Sequence, residues 1–154
     1  MNYSIEKKTL APQQVLVMKR TIKPDGIAPA LSEMFPALVG YAHRSGIAMA
    51  GPLFARYLTM GRDEWIIEAG IPVAGPASAE GEIKAETLPG GPAAVAVHSG
   101  PYDKLREAHQ AIHEWLKAQK LEAAGPPRES YLTDPGQHPD PKDWKTEVIV
   151  PLKA

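Results

Sequence analysis

The sequence contains no cysteine and no long apolar run, and these two absences exclude several classes of protein. Without cysteine, the chain of 154 residues has no disulfide, no thiolate zinc site and no thiol nucleophile. No stretch approaches the ~18 consecutive apolar residues that a membrane-spanning helix needs. The first residues also lack the apolar core of a signal peptide. We therefore expect a cytoplasmic protein with no membrane partner.

A surplus of basic residues is absent as well. Seventeen lysines and arginines stand against eighteen aspartates and glutamates, which gives a formal net charge of −1. Because nucleic-acid binding relies on basic side chains that neutralise phosphates, we expect no direct nucleic-acid binding. Gly90-Gly91 lacks the lysine of a phosphate-binding loop, and Ser99-Gly100 lacks the Gly-x-Ser-x-Gly pattern of a hydrolase nucleophile. The sequence thus predicts no cofactor.

The chain does contain a motif that occurs twice. The pattern Trp-x-x-Glu-x-x-(Ile/Val)-Pro begins at Trp65 and again at Trp144, and it places Glu68 and Glu147 at equivalent positions. Two further pairs are Gly51-Pro52 with Gly125-Pro126, and Tyr57 with Tyr131. The repeats predict one domain over residues 1–154, built from pseudo-repeats 1–73 and 81–152 with a linker at 74–80.

Hydrophobic periodicity predicts the same order of elements in both halves, namely strand, strand, helix, strand, strand. The predicted strands are 3–10, 15–20, 53–59, 65–73, 81–88, 93–98, 128–133 and 146–152. One helix is predicted within 27–45, starting near Ser32 so that Pro36 falls in its first turn. The other follows Ser99-Gly100-Pro101, with mostly apolar residues at helical spacing between Leu105 and Gln119. We expect strand 3–10 to pair with strand 15–20. The predicted fold class is α+β, with two antiparallel sheets, pseudo-twofold symmetry and a ligand cleft between the halves.

Glu68 and Glu147 are the most informative acids. Each lies within an apolar strand, where a carboxylate is unfavourable unless it faces a polar groove or a partner. Aromatic side chains lie in equivalent strands at Phe54, Tyr57 and Tyr131. A carboxylate beside aromatic rings attracts flat cations, since each cation–π contact contributes ~0.5–2 kcal/mol. The alternative is that both glutamates point to solvent from edge strands.

Other residues carry weaker signals. His109 and His113 have the four-residue spacing of two metal ligands on a helix, but no third ligand stands at a telling distance. We therefore predict structural or surface histidines and no metal site. Tyr102 opens the second helix, where its ring lies either at the groove entrance or against the sheet. Trp115 is either a core residue or a contact of the ligand.

An ordered set of motifs, densest in the second half, resembles one known family. These motifs are Pro-Gly-Gly at 89–91, Ala-Val-Ala-Val-His-Ser-Gly-Pro-Tyr at 94–102, Glu-Trp-Leu at 114–116, Gly-Pro-Pro at 125–127, Tyr-Leu-Thr-Asp-Pro at 131–135 and Thr-Glu-Val-Ile-Val-Pro-Leu at 146–152. The set resembles the gyrase-inhibitor-like small-molecule-binding domain, which is also the effector-binding domain of multidrug-sensing transcription regulators. In the first half the resemblance is weaker and depends on Gly51-Pro52 and the segment 54–57.

The resemblance implies a duplicated βαββ-type module whose cleft binds lipophilic, often cationic compounds. It assigns ligand contacts to Glu147 and Tyr131. Some stand-alone members of the family hydrolyse cyclopropane-bearing genotoxins with this glutamate and nearby aromatic residues. The regulators carry a DNA-binding helix-turn-helix, and no such segment stands in this sequence. The resemblance therefore argues against direct transcriptional control by this chain.

Three functions follow as hypotheses. The first is a stand-alone module that senses or sequesters lipophilic, cationic small molecules, with contacts from Glu147, Glu68, Tyr131, Tyr57, Phe54, Tyr102 and Trp115. The alternative is a hydrolase of cyclopropane-bearing or other strained electrophilic toxins, in which Glu147 and Tyr131 are catalytic. The second alternative is a protein-interaction module that protects gyrase. All three are compatible with a homodimer.

Overall fold

The computed structural model describes residues 3–75, 77–133 and 137–153, and within them the chain forms two α-helices and eight strands. The helices are α1 (Ile27–Arg44) and α2 (Leu105–Gln119). The strands are β1 (Ile5–Leu10), β2 (Gln13–Ile22), β3 (Phe54–Met60), β4 (Trp65–Pro72), β5 (Lys84–Leu88), β6 (Gly91–Ser99), β7 (Arg128–Tyr131) and β8 (Lys145–Pro151). The predicted α+β class is confirmed.

Two predicted loops are described only in part. Residue 76, in the predicted linker, lies outside the described residues, and so do residues 134–136, which include the end of the Tyr-Leu-Thr-Asp-Pro motif. In the part of the chain that the structure describes, no helix is long and apolar enough to cross a membrane.

The chain divides into two compact units, and unit 1 comprises residues up to 10 together with those from 91 onward. Its strands lie in the order β1-β6-β8-β7, and each pair is antiparallel. Helix α2 covers one face of this sheet. Ala94 and Ala96 of β6 and Val148 of β8 meet Ile112 and Leu116 of α2 in a buried core. Residues directly opposite each other on neighbouring strands point to the same face of a sheet. The residues paired with Ala94, Ala96 and Val148 therefore also face α2.

Unit 2 comprises residues 11–90 and has the strand order β3-β4-β2-β5, again antiparallel throughout. Helix α1 packs Met34 and Leu38 against Leu16, Ile67 and Ile71 on one face of the sheet. The other face carries a second buried apolar cluster, which consists of Val15, Val17, Phe54 and Leu88.

The predicted pairing of strand 3–10 with strand 15–20 is wrong. Both hydrogen-bonding edges of β2 are occupied within unit 2, one by β4 and the other by β5, so β1 has no place beside it. Strand β1 pairs instead with β6, with Ile5 opposite Ala96 and Leu10 opposite Gly91. Its central residues are charged and exposed, which suits the edge position that β1 holds in unit 1.

The predicted start of the first helix near Ser32 is also wrong. Helix α1 begins at Ile27 and continues through Pro36, which lies exposed in its interior. Proline there removes one backbone hydrogen bond and disfavours the helical turn before it. The helix nevertheless continues because Met34, Leu38, Tyr41 and Ala42 are buried on both sides of the proline. Tertiary packing thus overrides the local preference.

Candidate functional site

Strand β7 directs a carboxylate towards α2. Glu129 stands opposite Val148, which belongs to the core beneath α2, so the side chain of Glu129 faces the same helix. Tyr131, two residues later, lies on the same face. Only 4% of Glu129 is exposed, which makes it one of two nearly or fully buried glutamates among the described residues. A buried carboxylate needs hydrogen-bond donors around it.

Those donors include a histidine and a tyrosine. His109 Nε2 lies 2.7 Å from Glu129 Oε2, and the Tyr131 hydroxyl donates to Glu129 Oε1 at 2.9 Å. With the carboxylate ionised, the imidazole Nε2–H donates as well, because an ionised carboxylate can only accept. Both oxygens of Glu129 are therefore oriented by side chains of unit 1.

Helix α2 brings His109 to this position through its apolar periodicity. Leu105, Ala108, Ile112 and Leu116 form the buried stripe, and His109 lies at the edge of that stripe. His113, one turn later, is exposed. The spacing that resembled a metal pair thus serves another purpose, since His109 bonds to Glu129. Among the described residues, no group of three or more potential ligands could hold a metal ion.

Three aromatic rings follow one another from Tyr131, whose hydroxyl contacts the carboxylate. The ring centroids of Tyr102 and Tyr131 are 5.5 Å apart, and those of Tyr102 and Trp144 are 4.7 Å apart. Tyr102 begins a short 3-10 turn before α2, while Trp144 immediately precedes β8 and donates its Nε1–H to the His138 carbonyl. All three rings are only half-buried. We call Glu129, His109, Tyr131, Tyr102 and Trp144 the Glu129 site.

A second buried network fixes the turn that carries Tyr102. His98 is fully buried, with Nδ1 2.9 Å from the Tyr3 hydroxyl and Nε2 3.1 Å from the Pro101 carbonyl oxygen. Because a carbonyl only accepts, Nε2 carries the proton, and Nδ1 accepts from Tyr3. Burial, and after it the negative charge of Glu107, raises the pKa of the Tyr3 phenol above its usual 10.0. The phenol therefore remains a donor.

The structure places Glu147 away from this site. Glu147 pairs with Ser130 on one side and Val97 on the other, and alternation puts it on the face of the sheet opposite α2. It is half-buried. Within unit 1, Glu147 and Tyr131 thus project from opposite faces, so the structure does not bring these two predicted catalytic residues together.

Glu68 is fully buried in unit 2, on the face of the sheet that α1 does not cover. Its Oε1 atom lies 2.6 Å from Arg56 Nε, so a guanidinium compensates its charge. Lys19 stands opposite Glu68 on the neighbouring strand and pairs with Glu86 at 3.9 Å. Glu68 is therefore part of a row of alternating charges across the sheet. Whether Glu68 and Glu147 share a groove stays a prediction.

The remaining predicted contacts are dispersed. Tyr57 faces α1 and lies edge-on to Trp65 at 6.1 Å. Phe54 is almost fully buried against Gly70, where even a Cβ atom would overlap its ring. Trp115 packs against the core of unit 1. Of the aromatic residues predicted as ligand contacts, Tyr102 and Tyr131 are the pair that the structure places beside an acid.

A separate surface pocket of about 590 Å³ lies in unit 2. Its described lining residues are Tyr41, Ser45, Gly46, Ile47, Ala48, Ala74, Gly75, Ala77 and Ser78. None of them is acidic or basic, and the Tyr41 hydroxyl already donates to the Ser78 carbonyl at 2.9 Å. This pocket is therefore not the acidic cleft that the sequence predicted.

Sequence analysis missed Glu129 and the role of His109. Two features of the sequence nevertheless pointed to these residues. Glu129 and Tyr131 are two residues apart, which puts them on one face of a strand, and His109 is a polar residue next to the apolar stripe of a helix. A polar group on such a face needs a partner, and the Glu-x-Tyr pair supplies it.

Comparison with protein families gives one match that covers nearly the whole chain. A model described as the GyrI-like small molecule binding domain matches residues 1–153. None of the curated proteins compared with the chain matches it.

Solved structures show the same fold. The C-terminal domain of EcmrR has a TM-score of 0.84 at 21% identity, with 99% of both chains covered. EcmrR in its complex with DNA has a TM-score of 0.87 at 21% identity, covering 98% of this chain and 57% of that chain. This chain thus spans little more than half of that longer protein.

Two further relatives are more distant. SAV2435, solved with bound tetraphenylphosphonium, has a TM-score of 0.67 at 19% identity and covers 100% of this chain and 95% of its own. A hydrolase from Listeria innocua has a TM-score of 0.70 at 16% identity, with 97% and 91% covered. At these identities the likeness shows the fold alone.

Proposed function

Because this chain belongs to the GyrI-like small-molecule-binding family, we propose that it binds lipophilic cations at the Glu129 site of unit 1. The observation that carries this proposal is a carboxylate, 4% exposed, that contacts Tyr131, whose ring leads on to the rings of Tyr102 and Trp144. The imidazole and the phenol that hold Glu129 add no positive charge while the imidazole is neutral.

The rings supply the apolar part of the site. A cation over an aromatic face gains ~0.5–2 kcal/mol for each contact, and the attraction of a carboxylate adds to this where water is excluded. The flat, half-buried rings also match the aryl groups of lipophilic cations. That SAV2435 was solved with tetraphenylphosphonium makes this compound the natural first probe.

The other two acids are less suited to this role. Glu68 is compensated by Arg56, so it attracts a cation weakly. Glu147 lies on the sheet face opposite α2, beside Ser130 and Val97 rather than among these rings. Glu147, Glu68, Phe54 and Tyr57 each stay a predicted ligand contact. Trp115 stays a predicted contact as well.

We also propose that the two units derive from one duplicated module. Each contributes its Trp-x-x-Glu strand, β4 or β8, with the glutamate on the face away from the unit's helix. The copies differ two residues before the shared tyrosine, where Ala55 precedes Tyr57 and Glu129 precedes Tyr131. The duplication would therefore give only one site of the Glu129 kind.

The test is the binding of tetraphenylphosphonium by calorimetry to the parent protein and to Glu129→Gln, which keeps the size of the side chain. Loss of the charge is expected to weaken binding at least about tenfold, or about 1.4 kcal/mol. Glu147→Gln is the matched control and should bind like the parent. If Glu147→Gln alone loses the probe, the proposal fails and the acid predicted from the sequence takes its place.

A second candidate function is hydrolysis. His109 and Tyr131 place an imidazole and a phenol within hydrogen-bond distance of the Glu129 carboxylate, which is a set capable of general acid–base catalysis. The fold of the Listeria innocua hydrolase gives this candidate further support. A cyclopropane-bearing electrophile should then gain the mass of one water with the parent protein and remain intact with Glu129→Gln.

The gyrase-protecting role and a homodimer stay predictions.

A further inference from the structure

Thr146 presents a buried hydroxyl that the described part of the chain leaves without a hydrogen bond. The residue is fully buried, and its Oγ1 atom has no partner among the described residues. An unsatisfied buried hydroxyl is unfavourable, and most such groups in folded proteins are paired.

The register of β8 puts this hydroxyl on the face of the Glu129 site. Thr146 stands opposite Tyr131 of β7 on one side and opposite His98 of β6 on the other. Trp144 and Val148 flank it along the chain and alternate onto the same face. Directly opposite residues in antiparallel strands have their Cβ atoms about 4.5–5.5 Å apart. Thr146 therefore lies in the floor beneath the rings.

The two residues opposite Thr146 already form hydrogen bonds with other groups. His98 uses Nδ1 for Tyr3 and Nε2 for Pro101. The hydroxyl of Tyr131 donates to Glu129. Both side chains that could have satisfied Thr146 across the sheet thus point their hydrogen-bonding atoms elsewhere.

We propose that Thr146 is a specificity-determining residue of the Glu129 site, where it hydrogen-bonds a hydroxyl or carbonyl on the apolar body of a lipophilic cation. The inference rests on the proposed function and deepens it. Glu129 and the rings accept any flat cation, whereas Thr146 favours those that also carry a polar oxygen. A hydroxyl side chain both donates and accepts, so either oxygen type can pair with it.

The experiment compares two classes of probe on the full chain. The plain probe is tetraphenylphosphonium, and the polar probes are the ortho, meta and para isomers of hydroxyphenyl-triphenylphosphonium. Thr146→Val removes the hydroxyl and keeps the β-branched shape, while Thr146→Ser keeps the hydroxyl. Thr146→Ala is a second hydroxyl-free variant in case valine disturbs the fold.

The expected result is a preference of the parent protein for at least one polar isomer over the plain probe. That preference should fall about fivefold to tenfold in Thr146→Val and Thr146→Ala, as the loss of one hydrogen bond implies, and persist in Thr146→Ser. In Thr146→Val and Thr146→Ala, the affinity for the plain probe should fall less than the affinity for that isomer.

Two outcomes overturn the inference in distinguishable ways. In the first, the plain probe binds the parent protein, but either none of the three isomers binds better or the preference survives in Thr146→Val and Thr146→Ala. Thr146 then does not select ligands, and the proposed function stands. If neither class of probe binds the parent protein, the proposed function fails and this inference fails with it.

Discussion

At the residue scale, the partner of each buried carboxylate decides what that carboxylate can do. Glu129 has an imidazole and a phenol beside it, and its position suits a ligand cation. Glu68, which is equally inaccessible, has a guanidinium 2.6 Å away. When a buried ion pair loses one partner, the other charge stays buried without compensation. Removing one partner therefore destabilises the folded protein far more than removing both.

Arg56→Met is therefore expected to destabilise the protein strongly. It leaves Glu68 buried without its counter-ion, which costs about 3–5 kcal/mol in the free energy of unfolding. The measurement is urea denaturation followed by circular dichroism. The double variant Arg56→Met with Glu68→Leu is the control and should regain most of this loss, since no lone charge remains. Equal destabilisation of the single and double variants would show that the ion pair is not the cause.

At the element scale, packing against a sheet decides which local preferences prevail. Pro36 should interrupt a helix, yet α1 runs through it. The apolar residues before and after it are buried against unit 2, so the helix tolerates the missing hydrogen bond. The proline itself is exposed and contributes little to this packing.

Pro36→Ala is expected to stabilise the protein, because alanine restores the backbone hydrogen bond and suits a helix interior. The gain in the free energy of unfolding should reach up to about 3 kcal/mol, the difference in helix propensity between the two residues. Pro29→Ala is the matched control. Pro29 is also exposed but lies in the first turn, where backbone N–H groups have no helical partner, so little change is expected. Equal gains at both positions would contradict this explanation.

These elements also show what the sequence could and could not predict. Periodicity is a local property, and it found all eight strands and both helices, with the start of α1 as the end that it misplaced. The pairing of β1 with β6 depends on which strand edges remain open, which no local pattern records. Glu129 was missed for a similar reason. Its significance comes from His109, twenty residues away in sequence, and the pattern of neither element alone connects the two residues.

At the scale of the whole molecule, the chain enters unit 1 twice. Strand β1 belongs to unit 1, the chain then builds unit 2, and it returns at residue 91. The N-terminal strand thereby supports the candidate site. Tyr3 holds His98, His98 holds the Pro101 carbonyl, and Tyr102 follows directly. The order of the turn that carries Tyr102 thus depends on a residue almost a hundred positions earlier.

Proline substitutions in β1 test this connection. Strand β1 lies at the sheet edge of unit 1, so successive N–H groups point alternately towards β6 and away from it. Of the variants Lys7→Pro and Lys8→Pro, one removes a hydrogen bond to β6 and the other does not. The bond-breaking variant should increase amide hydrogen exchange in the segment 91–99 and weaken the binding of tetraphenylphosphonium. The variant that keeps this bond is the control and should change the exchange and the binding much less.

Exchange in β2 should stay the same in both variants, because β2 pairs with β4 and β5. Faster exchange in β2 rather than in β6 would mean that the N-terminal strand pairs as the sequence first suggested.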